Sequence, residues 1–366
     1  MNTNPLLALK ALGQHVWLDN LSRTLLQDGS LQRLILQDGI DGVTSNPAIF
    51  QKAIAASTFY LEEIERLRST GMNAEERYEA LVIADIQAAC DLLLPSYVST
   101  AGETGYVSLE VSPELAHDMA GTQLAALRLR LAVGRDNLLI KVPATPAGIQ
   151  ALEHLTAAGM RVNVTLIFSL SQYEAVAQAY LYGAQRWLDE SGKDGRSLRS
   201  VASVFLSRVD TLVDGRLAAL GTAPAGALMG KSGVALARRC YRRYQEIFHG
   251  PAFFRLAEAG VRPQTLLWAS TGTKNPACSD VYYVESLIGP DTITTLPDLT
   301  LAAFRAHGRV ATTLITGMDE AEANREALTG LGIDPEEIGE TLQVEGLRLF
   351  AEAYQAATQS ALHRAD

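Results

Sequence analysis

With 366 residues, 48% of them hydrophobic and 20% charged, the chain has the composition of an ordinary globular protein and the length for a large core. A formal net charge of -10 argues against a nucleic-acid partner, because phosphate contacts need a basic face. Three cysteines (Cys90, Cys240, Cys278) without a close pair suggest neither a disulfide framework nor a thiolate metal site, and six histidines without HxxxH or HxH spacing give no zinc signature, so no metal or other cofactor is expected.

The N-terminal stretch MNTNPLLALKALGQ lacks the basic start, apolar run and small-residue cleavage site of an export signal. No stretch reads as apolar for long enough to span a bilayer, so a soluble, cytoplasmic protein without a membrane partner is expected. Residues 5–14 read as a short amphipathic lead-in helix. His15-Val16-Trp17-Leu18-Asp19-Asn20, apolar with an acid at its end, predicts the first strand. Leu21, Leu25, Leu31, Leu34 and Ile35 then recur at roughly helical spacing, broken by Asp28-Gly29. Residues 42–47 (GVTSNP) predict a second strand, stopped by a proline that opens the next helix. Two successive helices are expected over 48–70 and 74–95. The third strand is 106–111 (YVSLEV), and Ser112-Pro113-Glu114 reads as a capped helix start.

Residues 137–145 (NLLIKVPAT) predict the fourth strand, with its single charge near the end and a helix from about Pro146 to Gly159. The fifth strand is 161–168, with a helix to about Ser191, and the sixth is 200–206, ending at Ser207-Arg208-Val209-Asp210. Helical segments over 209–220 and 227–248 lead to a seventh strand at 265–270 and a polar loop, Thr271-Gly272-Thr273-Lys274-Asn275-Pro276. The eighth strand, 291–296, is closed by Pro297, and helices at 299–308, 319–331 and 335–361 finish the chain. Strands alternating with helices imply parallel pairing and right-handed crossovers, and eight such units close into a (β/α)8 barrel. An open doubly wound sheet would carry a glycine-rich turn after the first strand, where this chain has Asp19-Asn20-Leu21-Ser22-Arg23. The expectation is one α/β domain over 1–366, with the lead-in helix at about 5–14, the barrel at about 15–310 and C-terminal helices at about 319–361.

In such a barrel, function gathers at the C-terminal ends of the strands. Those ends supply Asp19, Asn46, Glu110, Lys141, Asn163 with Thr165, Ser203 and Ser270. Each has a bland reading. Asp19 and Asn46 could cap helices, the serines could satisfy backbone carbonyls, Glu110 could pair with Lys141, and Lys141 could snorkel. Together they predict a polar, reactive lumen. Burying an ammonium in an apolar run is costly, which favours a neutral, nucleophilic amine whose usual target is a carbonyl carbon. A lysine with two carboxylates and no metal ligands suits imine chemistry on a hydroxyketone, with the protonated imine as electron sink. Arg208 and Lys274 follow the sixth and seventh strands, where barrels often hold a phosphate; solvated surface cations are the competing reading.

These residues carry a family resemblance. WLDNLSR, GVTSNPAIF, VSLEVSP, IKVPAT, NVTLIFS and SVFLSRVD, in this order within about residues 13–356, are similar to the motifs of transaldolase, particularly the longer bacterial type. The resemblance implies a Schiff-base barrel enzyme of the non-oxidative pentose phosphate pathway, moving a dihydroxyacetone unit from sedoheptulose 7-phosphate to glyceraldehyde 3-phosphate. It implies that Lys141 forms the imine and that Asp19 exchanges a proton with the C4 hydroxyl. Glu110 would act through a water held with Thr165, Asn46 and Asn163 would hold substrate hydroxyls beside Ser203, and Arg208 with Ser270 would bind phosphate. Shorter members carry Ser-x-Arg after the seventh strand, whereas this chain has Ser270-Thr271-Gly272-Thr273-Lys274, which makes Lys274 the substitute for that arginine. Some longer relatives are fused to a phosphoglucose isomerase domain; with the sequence ending at Asp366, that activity is expected to be absent. The rival readings are a class I fructose 6-phosphate aldolase and a catalytically silent sugar-phosphate-binding barrel, and a monomer or homodimer is expected.

Overall fold

The computed structural model describes residues 4–362. Eight short strands, β1 (Gln14–Leu18), β2 (Gly42–Thr44), β3 (Tyr106–Glu110), β4 (Leu138–Pro143), β5 (Val162–Ile167), β6 (Ser200–Phe205), β7 (Thr265–Ala269) and β8 (Thr292–Leu296), pair in parallel in sequence order. β8 returns to β1 with Leu18 opposite Leu296, which closes the barrel. Strands covered on both faces tolerate little polar surface, and β4, β5 and β6 are buried at every position. The register sets Glu110 opposite Lys141 and Lys141 opposite Asn163, so three neighbouring strands deliver three polar side chains to one layer of the lumen.

The expected strands all form, most of them a residue or two shorter than the apolar runs suggest. The trimmed residues at the C-terminal ends, Asp19 and Asn46 among them, leave the ladder and enter the loops above the barrel. The segment expected as one helix over 48–70 is divided into Pro47–Ala56, a 3-10 turn at Thr58–Tyr60, and Leu61–Arg68. Ser57 is extended there and its hydroxyl accepts the Phe59 N–H, so a capping serine interrupts the helix. After β3, Ser112 caps just a 3-10 turn (Pro113–Leu115); the helix proper, Met119–Val133, starts where Asp118 accepts the Gly121 N–H.

The helix Ala74–Ser99 overturns two expectations. It runs through Pro95 rather than ending there, and the turn beyond is held by Tyr97 packing edge-on against Tyr106 at 5.4 Å. By length and composition it is also apolar enough to cross a membrane, contrary to the reading of the sequence. In this fold its inner face, including Leu81, Val82, Ile86, Ala89 and Leu93, is buried in the core. Its one buried charge, Asp85, accepts hydrogen bonds from Arg23 Nε (2.9 Å) and the Tyr60 hydroxyl (2.6 Å), while the Arg23 N–H donates to that same hydroxyl.

The helix Pro335–Ser360 crosses the C-terminal end of the barrel and packs on Pro47–Ala56. Gln343 fixes it there, donating from Nε2 to the carbonyl of Ala144, just past β4, at 2.8 Å and to that of Leu166 in β5 at 3.4 Å.

The Arg23–Asp85 pair predicts an asymmetric mutational result. Asp85→Ala leaves a buried guanidinium unpaired and should cost about 3–5 kcal/mol, whereas the double replacement Arg23→Met/Asp85→Leu should be close to neutral. Urea unfolding of both variants checks this, and equal losses would show that the pair acts through packing alone.

Candidate active site

Lys141 is the one charged residue of β4, with its side chain 5% exposed. Its Nζ donates to the Ser45 carbonyl at 3.1 Å and lies 3.4 Å from Glu110 Oε2, a carboxylate whose side chain is 8% exposed. Burial pushes the Glu110 carboxyl above its usual range, and the Lys141 ammonium opposes that shift.

Asp19 follows β1. Its N–H donates to the Leu296 carbonyl at 2.9 Å, which seats it on the β1–β8 seam, and its Oδ1 accepts the Thr44 hydroxyl at 2.8 Å. Burial raises this carboxyl too; the Thr44 hydrogen bond, Lys141 and Arg208 offset part of the rise, and Asp298 adds to it. Asn46 does both jobs open to it in the sequence. Its Oδ1 caps the helix Pro47–Ala56 by accepting the Ile49 N–H at 3.0 Å, and the residue also lines the cavity beside Lys141.

Asn163 and Thr165 project from β5 into the lumen at different depths. Asn163, fully buried, donates to Ser108 Oγ at 3.0 Å and accepts from Ser203 Oγ at 2.8 Å, beneath the cavity wall. Thr165 lines the cavity, and its buried hydroxyl has no hydrogen-bond partner among the described residues. An unpartnered hydroxyl facing a cavity is a ready place for a water or a substrate hydroxyl.

Arg208 comes from the first turn of the helix Ser207–Leu220, and its guanidinium carbon sits 5.6 Å from the Phe205 ring and 5.9 Å from that of Phe350. Burial lowers its pKa, which Glu345, Asp19 and Glu110 oppose from a distance without forming an ion pair among the described residues. A desolvated guanidinium at a helix N-terminus suits an anion such as phosphate. Ser270 completes this corner, its hydroxyl 2.7 Å from that of Ser207. Ser270 (φ +56°) and Leu166 (φ +59°, at an irregularity in the β5 pairing) both adopt the left-handed backbone. Such strain costs on the order of 1–3 kcal/mol per residue, and here it is held at the barrel mouth by the hydrogen bonds to Ser207 and Gln343.

The cavity of about 100 Å³ therefore gathers Asp19, Asn46, Lys141, Thr165, Ser203, Arg208 and Ser270, all predicted from the sequence. Glu110 and Asn163 lie against its floor through their contacts to Lys141 and Ser203. Lys274 is not brought in: it is exposed in the loop after β7 and does not line the cavity. The sequence reading missed Thr44, Thr295, Phe205 and Phe350. Strand alternation could have found the first three, but Phe350 arrives from a helix more than a hundred residues downstream of most of the wall. Among the described residues, no group of three or more His, Cys, Asp or Glu side chains is placed to hold a metal ion.

The chain is similar to known proteins over nearly its whole length. The sequence profile of the transaldolase/fructose-6-phosphate aldolase family matches residues 16–361. A transaldolase of Thiobacillus denitrificans is 53% identical over 345 residues, covering 94% of this chain and 96% of its own. That of Neisseria gonorrhoeae is 47% identical over 347 residues (95% and 96%), and that of a Parafrankia species 46% over 353 (96% and 95%).

The placement of the two cations separates their roles. Arg208→Ala should raise KM for a phosphorylated donor by about a hundredfold, the worth of a desolvated charge-assisted contact, while Lys274→Ala should change it less than about threefold. Steady-state kinetics on both variants decides, and a larger effect at Lys274 would move the anion site outward to the loop.

Proposed function

The chain belongs to the transaldolase/fructose-6-phosphate aldolase family and catalyses the transaldolase reaction, and we propose that it does so through an imine on Lys141. The reaction, a step of the pentose phosphate pathway, transfers dihydroxyacetone from sedoheptulose 7-phosphate to glyceraldehyde 3-phosphate and gives erythrose 4-phosphate and fructose 6-phosphate. The observation that carries the mechanism is the buried Lys141 amine, 3.4 Å from a carboxylate and at the wall of a cavity that also holds Arg208.

In this reading Arg208 and Ser270 take the donor phosphate, and the ketone carbon meets Lys141 Nζ. The amine adds to the carbonyl. Glu110, working through a water held by the Thr165 hydroxyl, carries protons so that the former carbonyl oxygen leaves as water. The protonated imine then draws the electron pair of the C3–C4 bond as the Asp19 carboxylate takes the C4 hydroxyl proton and the aldehyde departs. A carboxyl lifted above its usual range by burial is a stronger base for that step. The enamine left on Lys141 attacks the acceptor aldehyde, Asp19 returns the proton, and water hydrolyses the imine. Asn46, with its amide hydrogens uncommitted among the described residues, and Asn163, with one amide hydrogen to spare, hold hydroxyls of the three-carbon unit beside Ser203. The whole chain acts as one unit, since Phe350 of the C-terminal helix walls the cavity of the barrel. We place it in the cytoplasm as a monomer or homodimer that needs no metal, nucleic acid or membrane.

Borohydride reduction in the presence of fructose 6-phosphate, followed by mass spectrometry, should find a dihydroxyacetone-sized adduct on Lys141 and none in Lys141→Met. An adduct on another residue overturns the assignment. The pH profile gives a second test. Cleavage needs the Asp19 carboxylate, whose pKa is raised, so activity should be lost as pH falls through a value above the ordinary 3.8. An acidic limb at or below 3.8 would exclude Asp19 as the base.

A further inference from the structure

Gly339, Gln343, Gly346 and Phe350 follow one another at helical spacing along Pro335–Ser360, so they share the face turned to the barrel mouth. The two glycines let that face approach closely. A Cβ on Gly339 would come within 2.6 Å of Ser169 Cβ, and one on Gly346 within 3.0 Å of Leu166 Cδ2. Gln343, between them, ties the helix to the carbonyls at the ends of β4 and β5. One turn past Gly346 this geometry lowers the Phe350 ring, 5% exposed, to 5.8 Å from Lys141 Nζ and 5.9 Å from the Arg208 guanidinium.

Phe350 therefore covers the two cations on which the donor is held, and it does so with a surface that has no exchangeable hydrogen. Most of the other lining side chains are hydroxyl, amide or carboxyl, Asp19, Asn46, Thr165, Ser203 and Ser270 among them, with Phe205, Leu267 and Ala269 apolar. After cleavage the three-carbon unit on Lys141 has two fates. In transfer, its carbanionic carbon attacks an aldehyde. In release, that carbon takes a proton from water, the hydroxide adds to the imine carbon, and the carbon–nitrogen bond breaks to give dihydroxyacetone and the free amine. Both fates end with hydrolysis of the imine, and they differ at the carbanionic carbon, which takes a proton from water in release and the carbonyl carbon of the acceptor in transfer.

We propose that Phe350, held down by Gln343, sets the ratio of transfer to release by keeping water, the proton source for release, from the carbanionic carbon of the adduct on Lys141. The ring faces the cationic imine with its negative π surface, which stabilises the charge without offering a proton. The proposal rests on the imine reading, and it makes Phe350 a specificity-determining residue and Gln343 a positioning one.

The test measures dihydroxyacetone released from fructose 6-phosphate without an acceptor, against transfer to erythrose 4-phosphate, and borohydride adduct on Lys141 for each variant. Phe350→Ala should raise the release-to-transfer ratio by about tenfold or more, a change of about 1.4 kcal/mol between the two barriers, with the adduct still on Lys141. Phe350→Leu, which keeps an apolar plug, should stay within about threefold of the parent. Gln343→Ala should shift the ratio in the same direction as Phe350→Ala and serves if the latter does not fold. General damage lowers both rates together and leaves the ratio still. An adduct on Lys141 with an unchanged ratio in Phe350→Ala or Gln343→Ala overturns the proposal, as does an equal rise in Phe350→Leu. Failure of the unsubstituted protein to form any Lys141 adduct would instead overturn the imine reading itself.

Discussion

A charged amine kept out of water has to be compensated wherever it sits, and the compensation of Lys141 organises this molecule. Its Nζ is held by a backbone carbonyl from the loop after β2 and by a carboxylate from β3, so three consecutive strands must be in register before the amine is satisfied. The same register places Asn163 beside it and, through Asn163, Ser203 of β6. Polar groups spread over a long stretch of chain thus become mutually dependent. A buried network of this kind is costly if one member is missing, and it specifies a single arrangement when all are present.

The site is built where the fold is least regular. Strand pairing stops at Leu18 and Thr44, and Asp19, one residue on, and Asn46, two residues on, line the cavity above. Leu166 and Ser270 hold left-handed backbone at the same end. These departures from ideal geometry cluster within reach of Lys141 and Arg208, and each is fastened by a named hydrogen bond. Rigid strands fix Glu110 and Lys141, and the irregular ends place Asp19 and Asn46. Above them the C-terminal helix adds Phe350 to the apolar lining that Phe205, Leu267 and Ala269 bring from β6 and β7.

Much of this was legible in the chain itself. The alternation of short apolar runs with helical periodicity gives the barrel, and polar residues at the run ends give seven cavity-lining positions. The motifs around Asp19, Asn46, Glu110, Lys141, Asn163 and Arg208 give the family. Errors fell where tertiary contact overrides a local rule. Pro95 ought to end a helix, but packing of Tyr97 on Tyr106 carries it one turn further. Ser112-Pro113-Glu114 ought to start one, but it makes a 3-10 turn before Asp118 does so. Ending the helix Ala74–Ser99 at residue 95 also hid an apolar length that matches a membrane span, although its inner face packs in the core.

The sequence by itself determined the strand count, the parallel order and a set of candidate reactive groups. Those follow from patterns within a few residues and from the chemistry of side-chain types. The tertiary structure decided which of them share a cavity. Lys274 has the right charge and lies four residues past Ser270, yet its loop leaves it exposed, while Phe350 carries no polar signal at all and lines the cavity. Local pattern reports what a segment can bury. Distance across the barrel mouth depends on how remote segments pack, and no short window of sequence holds that information.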